Sequence, residues 1–209
     1  MKWYSLKLLI ICIIIFIFQN IFENLTNEFS LNSSYFLFKP WTIVTYIFLH
    51  GSFQHLFYNM LALGLFGSIL EKIIGSKKFL IVFFVSGIFA GIGSLIFYSS
   101  SIGASGAIYG ILGVLAVLRP RMIVYFSFIP LPLALAVTFW AIGDLIGLFL
   151  PTDLIAYAAH LFGLIFGLLY GLKLRKKYGE TIFRKKKEEI NDKEFKIWEE
   201  KYMLSNWNF

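Results

Sequence analysis

The chain has 209 residues and is 58% hydrophobic but only 15% charged, a balance that excludes an ordinary soluble domain and indicates a compact multi-pass membrane protein. Its single cysteine, Cys12, excludes an internal disulfide and a cysteine-rich metal site. In a soluble protein the net charge of +7 would suggest nucleic acid binding, but here the positions of the basic residues account for it, so we expect no nucleic acid partner.

In chain order, six apolar segments predict an all-α polytopic bundle of six transmembrane helices. A spanning helix needs about 20 residues to cross the hydrocarbon core. Four segments have about that length, the first is slightly short, and the fourth, with 14 residues, is clearly short. The segments are Leu6–Phe22, Ser52–Leu70, Phe79–Tyr98, Ser105–Leu118, Leu131–Leu150 and Leu154–Leu172.

The basic residues predict how these spans are oriented. With six spans, 18 of the 19 Lys and Arg residues fall on the side of both termini, and only Lys39 falls on the other side. Loops rich in Lys and Arg remain in the cytoplasm. We therefore expect a multi-pass protein of the cell membrane with both termini cytoplasmic, and with the loops 23–51, 99–104 and 151–153 on the outer side.

The chain divides into a membrane core and a tail. Residues 1–173 are predicted to form the six-helix core, in which the aromatic-rich outer loop 23–51 is partly embedded in the membrane. Residues 174–209 are charged throughout and predict a cytoplasmic tail. That tail is either a helix lying on the anionic leaflet or a solvated segment.

The short fourth segment begins with a serine between glycines, Gly103-Ala104-Ser105-Gly106. Its 14 residues would cover only about 21 Å. The preceding loop must therefore dip into the membrane, which leaves Ser105 roughly 10 Å below the outer surface. The free backbone N–H groups at this helix start could stabilise an oxyanion, and the glycines permit a sharp turn.

Polar side chains of two other segments reach a similar depth. His55 and Asn59 share one face of the second span and lie about 5 Å and about 10 Å below its outer end. His160 lies roughly 9 Å down the sixth span. His160 is the candidate base for Ser105, and Tyr109, one turn after Ser105, could support the imidazole ring. Activity should then fall as the pH drops through the pKa of that imidazole.

Other interpretations of these residues remain open. Glycines in spans usually serve helix packing, and Gly163 with Gly167 is a small-xxx-small pair. His55 and His160 could instead ligate a haem. We expect Asp144 to be the only acid inside a span; it has no second carboxylate for an aspartyl protease, and we expect it to be hydrogen-bonded within the bundle. The lack of a His-Glu-x-x-His sequence argues against a zinc protease.

Taken together, four motifs over residues 40–174 resemble the rhomboid family of intramembrane serine proteases. They are His50-(four residues)-His55-(three residues)-Asn59, then Glu71-Lys72-Ile73-Ile74-Gly75, then Gly103-Ala104-Ser105-Gly106 with Tyr109, and finally Ala159-His160-Leu161-Phe162-Gly163 with Gly167.

The resemblance implies a rhomboid-like bundle whose short fourth helix carries the nucleophile, and a Ser105–His160 dyad without an acid. Its oxyanion site would comprise His55, Asn59 and the backbone from Ala104. It further implies no cofactor and no metal, a lateral gate formed by the fifth span and the outer loop, and cleavage of transmembrane protein substrates in the lipid bilayer near their outer end. A non-catalytic relative that binds membrane clients is the alternative, although such proteins typically lack the Ser or the His. Supporting roles would fall to His50, Gly103, Gly106, Tyr109, Gly163 and Gly167.

Overall fold

The computed structural model describes residues 2–126, 129–150 and 155–179, so the predicted tail beyond residue 179 lies outside the described part of the chain. Within these ranges the chain is mostly helical, and every one of the six predicted segments contains a helix. The helices are α1 (Tyr4–Ile21), α2 (Leu25–Phe29), α3 (Thr42–Thr45), α4 (Phe53–Ala62), α5 (Ser68–Ile74), α6 (Ser76–Phe97), α7 (Ser105–Leu118), α8 (Leu133–Phe149) and α9 (Tyr157–Tyr178).

Four helical stretches are long and apolar enough to cross a membrane: α1, α6, α9, and α4 joined to α5 through a π-helical turn to give Phe53–Ile74. Helices α7 and α8 are apolar but shorter, with 14 and 17 residues. The fourth predicted segment has the observed bounds, whereas the fifth was predicted too long. Leu131 and Pro132 belong to a strand, because a residue that precedes proline avoids the helical conformation.

The N-terminus of α1 is capped by a carboxylate from α5. The backbone N–H groups of Tyr4 and Ser5 each donate to Glu71 at 3.0 Å, and the hydroxyl of Ser76 donates to it at 2.6 Å. Glu71 is buried, so these donors and the positive end of the helix dipole stabilise its charge. The expectation that Asp144 is the only acid within a span is wrong, since Glu71 lies inside the second long helix.

Helix α7 forms the centre of the core, with ten of its 14 residues buried. Its backbone packs directly on that of α9. A Cβ placed on Gly163 would collide with the carbonyl oxygen of Gly106, and a Cβ on Gly167 would collide with that of Gly110. Glycine is needed on this side because any side chain would force the two helices apart. The helix starts that carry Ser105 and His160 are thereby held in a fixed relation.

Two short antiparallel pairings correct the prediction of an all-α chain. Strand β1 (Leu31–Asn32) pairs with β2 (Ser100–Ser101), and β3 (Ile123–Phe126) pairs with β4 (Ile129–Pro132). The first pairing joins the outer loop to the loop that precedes Ser105. That second loop is also fixed by the N–H of Gly103, which donates to the carbonyl of Tyr46 at 2.9 Å. The expected membrane embedding of the outer loop stays a prediction.

Candidate active site

Ser105 and His160 are in direct contact. Ser105 is the first residue of α7, and its Oγ lies 2.9 Å from Nε2 of His160. His160 was predicted to lie six residues into its helix, but α9 begins at Tyr157. The histidine therefore sits in the first turn, about 4.5 Å from the helix start. The helices α7 and α9 run parallel, since Gly163 packs on Gly106 and Gly167 packs on Gly110. Their two starts therefore lie at the same end and bring the pair together.

Two further side chains contact the His160 ring. The ring of Tyr109 stacks on it with centroids 4.3 Å apart and an interplanar angle of 11°; Tyr109 reaches this position because it lies one turn after Ser105 on α7. Oδ1 of Asp144, on α8, lies 3.3 Å from Nδ1 of His160. The resemblance implied a pair without an acid, so this carboxylate is a departure from that expectation.

The contact with Asp144 is the feature that sequence reasoning missed. Asp144 was expected to be hydrogen-bonded somewhere in the bundle, and its partner proves to be the candidate base. One signal could have found it: a carboxylate in a span needs a partner, and histidines were the only basic side chains at that level of the membrane. The pairing itself depends on how α8 packs on α9, which is a tertiary property.

His55 lies against the loop before Ser105. Ser52 is the N-cap of α4, and its Oγ accepts from the His55 N–H at 3.1 Å. The backbone N–H of Gly51 donates to Nδ1 of His55 at 3.4 Å, which leaves the ring proton on Nε2. A Cβ built on Gly103 would lie 2.8 Å from that Nε2 and 3.9 Å from Oγ of Ser105. The Nε2–H donor of His55 is thus directed to the region beside the serine oxygen.

Gly103 is required at this position for two reasons. Its φ of 126° lies in a region that only glycine adopts without strain. It also has no side chain to displace the His55 ring. The next residue, Ala104, is fully buried and offers no side chain to cap α7, so the first N–H groups of α7 are available to a ligand.

Asn59 is buried one turn below His55 and donates from Nδ2 to the His55 carbonyl at 2.7 Å. This bond uses one of the two amide hydrogens and leaves the second for the cavity. His50 lies behind His55, with ring centroids 5.1 Å apart. Its backbone is clamped by Gln19, whose amide both accepts from the His50 N–H and donates to the His50 carbonyl. Burial, helped by the neighbouring His55, lowers the pKa of His50 to about 3.

Two cavities meet at Ser105. A polar cavity of about 500 Å³ is lined by His55, Asn59, Ser105 and His160, together with residues of the outer loop. An apolar groove of about 690 Å³ reaches Ser105 from the other side. Ser105 and Asn59 line both. The apolar groove is formed between α4, the π-helical turn, β3 and α8, with Leu61, Leu65, Tyr125 and Trp140 among its lining residues.

This arrangement can perform acyl transfer: it holds a hydroxyl, a ring nitrogen that can take its proton, and several N–H donors around one point. The haem alternative lacks support in the geometry, because Nε2 of His160 is directed at Ser105 and Nε2 of His55 faces the backbone of Gly103. Among residues 2–126, 129–150 and 155–179, no group of three or more His, Cys, Asp or Glu side chains could hold a metal ion.

Comparison with known proteins gives a consistent result. A family model described as the Rhomboid domain matches residues 37–177. The chain is 31% identical over 173 residues to the rhomboid protease GlpG of Yersinia pseudotuberculosis serotype I, a match that covers 79% of this chain and 60% of that protein. GlpG of Yersinia pestis strain Pestoides F matches to the same extent. The chain is also 40% identical over 77 residues to the putative rhomboid protease YdcA of Bacillus subtilis, covering 35% of this chain and 39% of YdcA. The chain thus spans about three fifths of the length of the GlpG relatives.

Proposed function

Because this chain belongs to the rhomboid family, we propose that it is an intramembrane serine endopeptidase in which Ser105 is the nucleophile and His160 the general base. The 2.9 Å contact between Ser105 Oγ and His160 Nε2 is the observation that carries this proposal. A serine hydroxyl is a poor nucleophile unless a base takes its proton, and this distance is within the range that such a transfer requires.

The reaction proceeds in two halves. In the first, the proton of Ser105 moves to Nε2 of His160 while Oγ attacks the substrate carbonyl carbon. The tetrahedral intermediate then collapses, its C–N bond breaks, and the leaving amine takes the proton from His160. In the second, a water molecule gives a proton to His160 and attacks the acyl-enzyme. The ester bond breaks, and the Ser105 oxygen recovers a proton from the imidazole.

Three kinds of donor stabilise the oxyanion formed in each half. They are the Nε2–H of His55, the second amide hydrogen of Asn59 and the backbone N–H groups that follow Ala104. The first is supported by the Gly51–His55 hydrogen bond, which directs the ring proton towards the serine. Each such donor typically contributes about 10²- to 10³-fold to turnover.

The substrate class follows from the two cavities. An apolar groove of about 690 Å³ that reaches the serine fits an apolar segment arriving sideways from the bilayer. The polar cavity on the other side can hold the water that hydrolysis needs. The proposed substrates are therefore transmembrane segments of membrane proteins, cut where the backbone can unwind into the site.

The proposal includes the membrane arrangement. The six apolar helices α1, α4 with α5, α6, α7, α8 and α9 each cross or enter the bilayer, with α7 starting below the outer surface. Both termini are cytoplasmic, since that topology puts 18 of 19 basic residues on one side, and the site opens to the outer side. Helix α8, which borders the groove through Trp140, acts as the lateral gate.

The test uses the purified full chain with a model transmembrane substrate and with a fluorophosphonate probe. The wild-type protein should cleave the substrate and be labelled at Ser105. The variants Ser105→Ala and His160→Ala should lose cleavage, while Ser94→Ala, a buried serine of α6 outside the site, should cleave normally. Cleavage that survives in both site variants would overturn the proposal. A wild-type protein that binds the substrate but neither cleaves nor labels would be the non-catalytic relative.

A further inference from the structure

We propose that Asp144 is a positioning residue of this site: its ionised carboxylate holds His160 in the tautomer and orientation that accept the Ser105 proton. This proposal rests on the proposed Ser105–His160 function and adds a third member to it. A pair that the family resemblance implies to work without an acid would here be a triad.

The three side chains form a continuous chain of contacts. Oδ1 of Asp144 lies 3.3 Å from Nδ1 of His160, and Nε2 of the same ring lies 2.9 Å from Oγ of Ser105. An ionised carboxylate can only accept, so Nδ1 must carry the ring proton. Nε2 is then left with its lone pair facing the serine hydroxyl. The opposite tautomer would put a proton on Nε2, and that nitrogen could not act as a base.

The contact is built into the packing of two helices. Gly147, one turn after Asp144 on α8, touches Tyr157, one turn before His160 on α9. A Cβ on Gly147 would lie 2.6 Å from atoms of the Tyr157 ring. The absent side chain therefore lets α8 approach α9 at the level where Asp144 meets His160. This close approach of the two helices is an observation separate from the hydrogen bond, and it also places Asp144 beside His160.

The burial of Asp144 and His160 argues against a purely structural role for this carboxylate. The Asp144 side chain is 8% exposed and that of His160 is 12% exposed. Among the described residues, Oδ2 of Asp144 has no partner with full hydrogen-bond geometry, although the Tyr109 hydroxyl interacts with the carboxylate. Glu71, in contrast, accepts from two backbone N–H groups and two hydroxyls. A buried charge that serves only stability is usually met by more donors than this.

Titratable side chains face this region of α9 from four neighbouring elements. In the described part of the chain they are Asp144 on α8, Tyr109 on α7, His55 on α4 and Tyr98 after α6, and α9 itself contributes Tyr157.

The first experiment measures kcat, KM and the pH–rate profile of Asp144→Asn in the full chain. Asparagine keeps the shape and removes the charge. We expect kcat to fall about 10²-fold or more, by analogy with the loss of an orienting carboxylate in other serine proteases, with KM little changed. The acid limb of the profile should also change, because the carboxylate that faces the imidazole has been removed. Thr138→Val is the control: it removes a hydroxyl of the same helix that, in the described part of the chain, bonds to the Ala134 carbonyl one turn earlier.

The outcomes separate the two proposals. If the wild type does not cleave, or if Ser105→Ala still cleaves, the proposed function fails. If the wild type cleaves and Asp144→Asn matches it in kcat and in pH profile, only the role of Asp144 fails. If Asp144→Asn yields less folded enzyme but keeps the wild-type pH profile, the role of Asp144 is merely structural, and that outcome also contradicts the proposal.

The second experiment uses the wild-type protein, so it does not depend on whether a variant of Asp144 folds. The chain has three histidines, so ¹⁵N labelling of imidazoles gives three ring systems, and His160→Ala assigns one of them. At neutral pH we expect the His160 signals of the wild type to show a protonated Nδ1 and an unprotonated Nε2. Signals of the Nε2–H tautomer would overturn the proposal.

Discussion

The ring of Tyr109 lies nearly parallel to that of His160, with the centroids 4.3 Å apart. Stacking on this face leaves the two ring nitrogens free to contact Ser105 and Asp144 at the ring edge. The tyrosine thereby restricts ring rotation without competing for either nitrogen.

This relationship predicts different results for two substitutions of Tyr109. Tyr109→Phe keeps the stacked ring and loses only the hydroxyl that interacts with Asp144, so kcat should fall no more than a few-fold. Tyr109→Ala leaves His160 free to rotate, and kcat should fall by about 10²-fold, the scale of a misplaced general base. Turnover of the model substrate, normalised to the folded fraction of each variant, measures the difference. Equal losses in the two variants would mean that the hydroxyl, and not the ring, is what matters.

The glycine contacts between α7 and α9 predict that a larger residue at Gly163 lowers both stability and activity. Gly163→Ala would place a methyl group against the Gly106 carbonyl and force the helices apart, at a cost of about 1–3 kcal/mol in unfolding free energy. Because Gly163 is one turn from His160, activity should fall as well. Gly143→Ala is the matched control, since nothing lies within 4 Å of its Cβ position. Thermal unfolding in detergent checks both, and a normal melting temperature for Gly163→Ala would contradict the close packing.

Gly103 and Gly75 allow backbone strain to be separated from the His55 contact. Both have positive φ, 126° and 84°, so alanine at either position costs about 1–3 kcal/mol. Only at Gly103 would the new methyl group also displace the His55 ring, whereas nothing lies near Gly75. Gly103→Ala should therefore lose catalytic turnover as well as stability, and Gly75→Ala should lose stability alone. Comparable turnover per folded molecule in the two variants would argue against the placement of His55.

His50 predicts a pH dependence of stability rather than of activity. Its pKa is about 3 in the folded protein and 6.5 ordinarily, so below 6.5 the unfolded chain takes up a proton that the folded protein does not. The contribution to stability is complete above pH 6.5 and is lost as the pH falls towards 3, at a limiting slope of about 1.4 kcal/mol per pH unit. His50→Phe, which keeps an aromatic ring against His55, should reduce that slope. Denaturant unfolding at a series of pH values measures it.

Much of this structure was predictable from local sequence signals. The rhomboid resemblance is confirmed by the family match over residues 37–177. Helix α7 has its predicted bounds, because a glycine with positive φ precedes it and Arg119-Pro120 follows it. The N-cap role of Ser52 likewise depends on residues three positions apart, and the sequence displays such pairs directly.

The features that were missed all depend on contacts between distant parts of the chain. The β1–β2 pairing joins positions about 70 residues apart, and each strand is only two residues long. Such strands are too short for an alternating pattern to predict them. The start of α9 at Tyr157 could not be seen in a segment that is apolar from Leu154 onward. The contact of Asp144 with His160 requires the approach of α8 to α9 at Gly147, and a glycine in a helix does not reveal its neighbour.

The placement of the acid has one more consequence. Beyond Val137, α8 buries only Asp144 and Gly147, whereas Ser105 and His160 stand on two helices whose backbones touch. If a substrate displaces α8 outward to reach the groove, as proposed, the nucleophile and base stay together but the carboxylate moves away, and full turnover requires α8 to close again. Cleavage would then depend on how long a segment remains bound rather than how often it arrives. Segments that leave before closure escape uncut, so selectivity would be a matter of residence time, set by one helix.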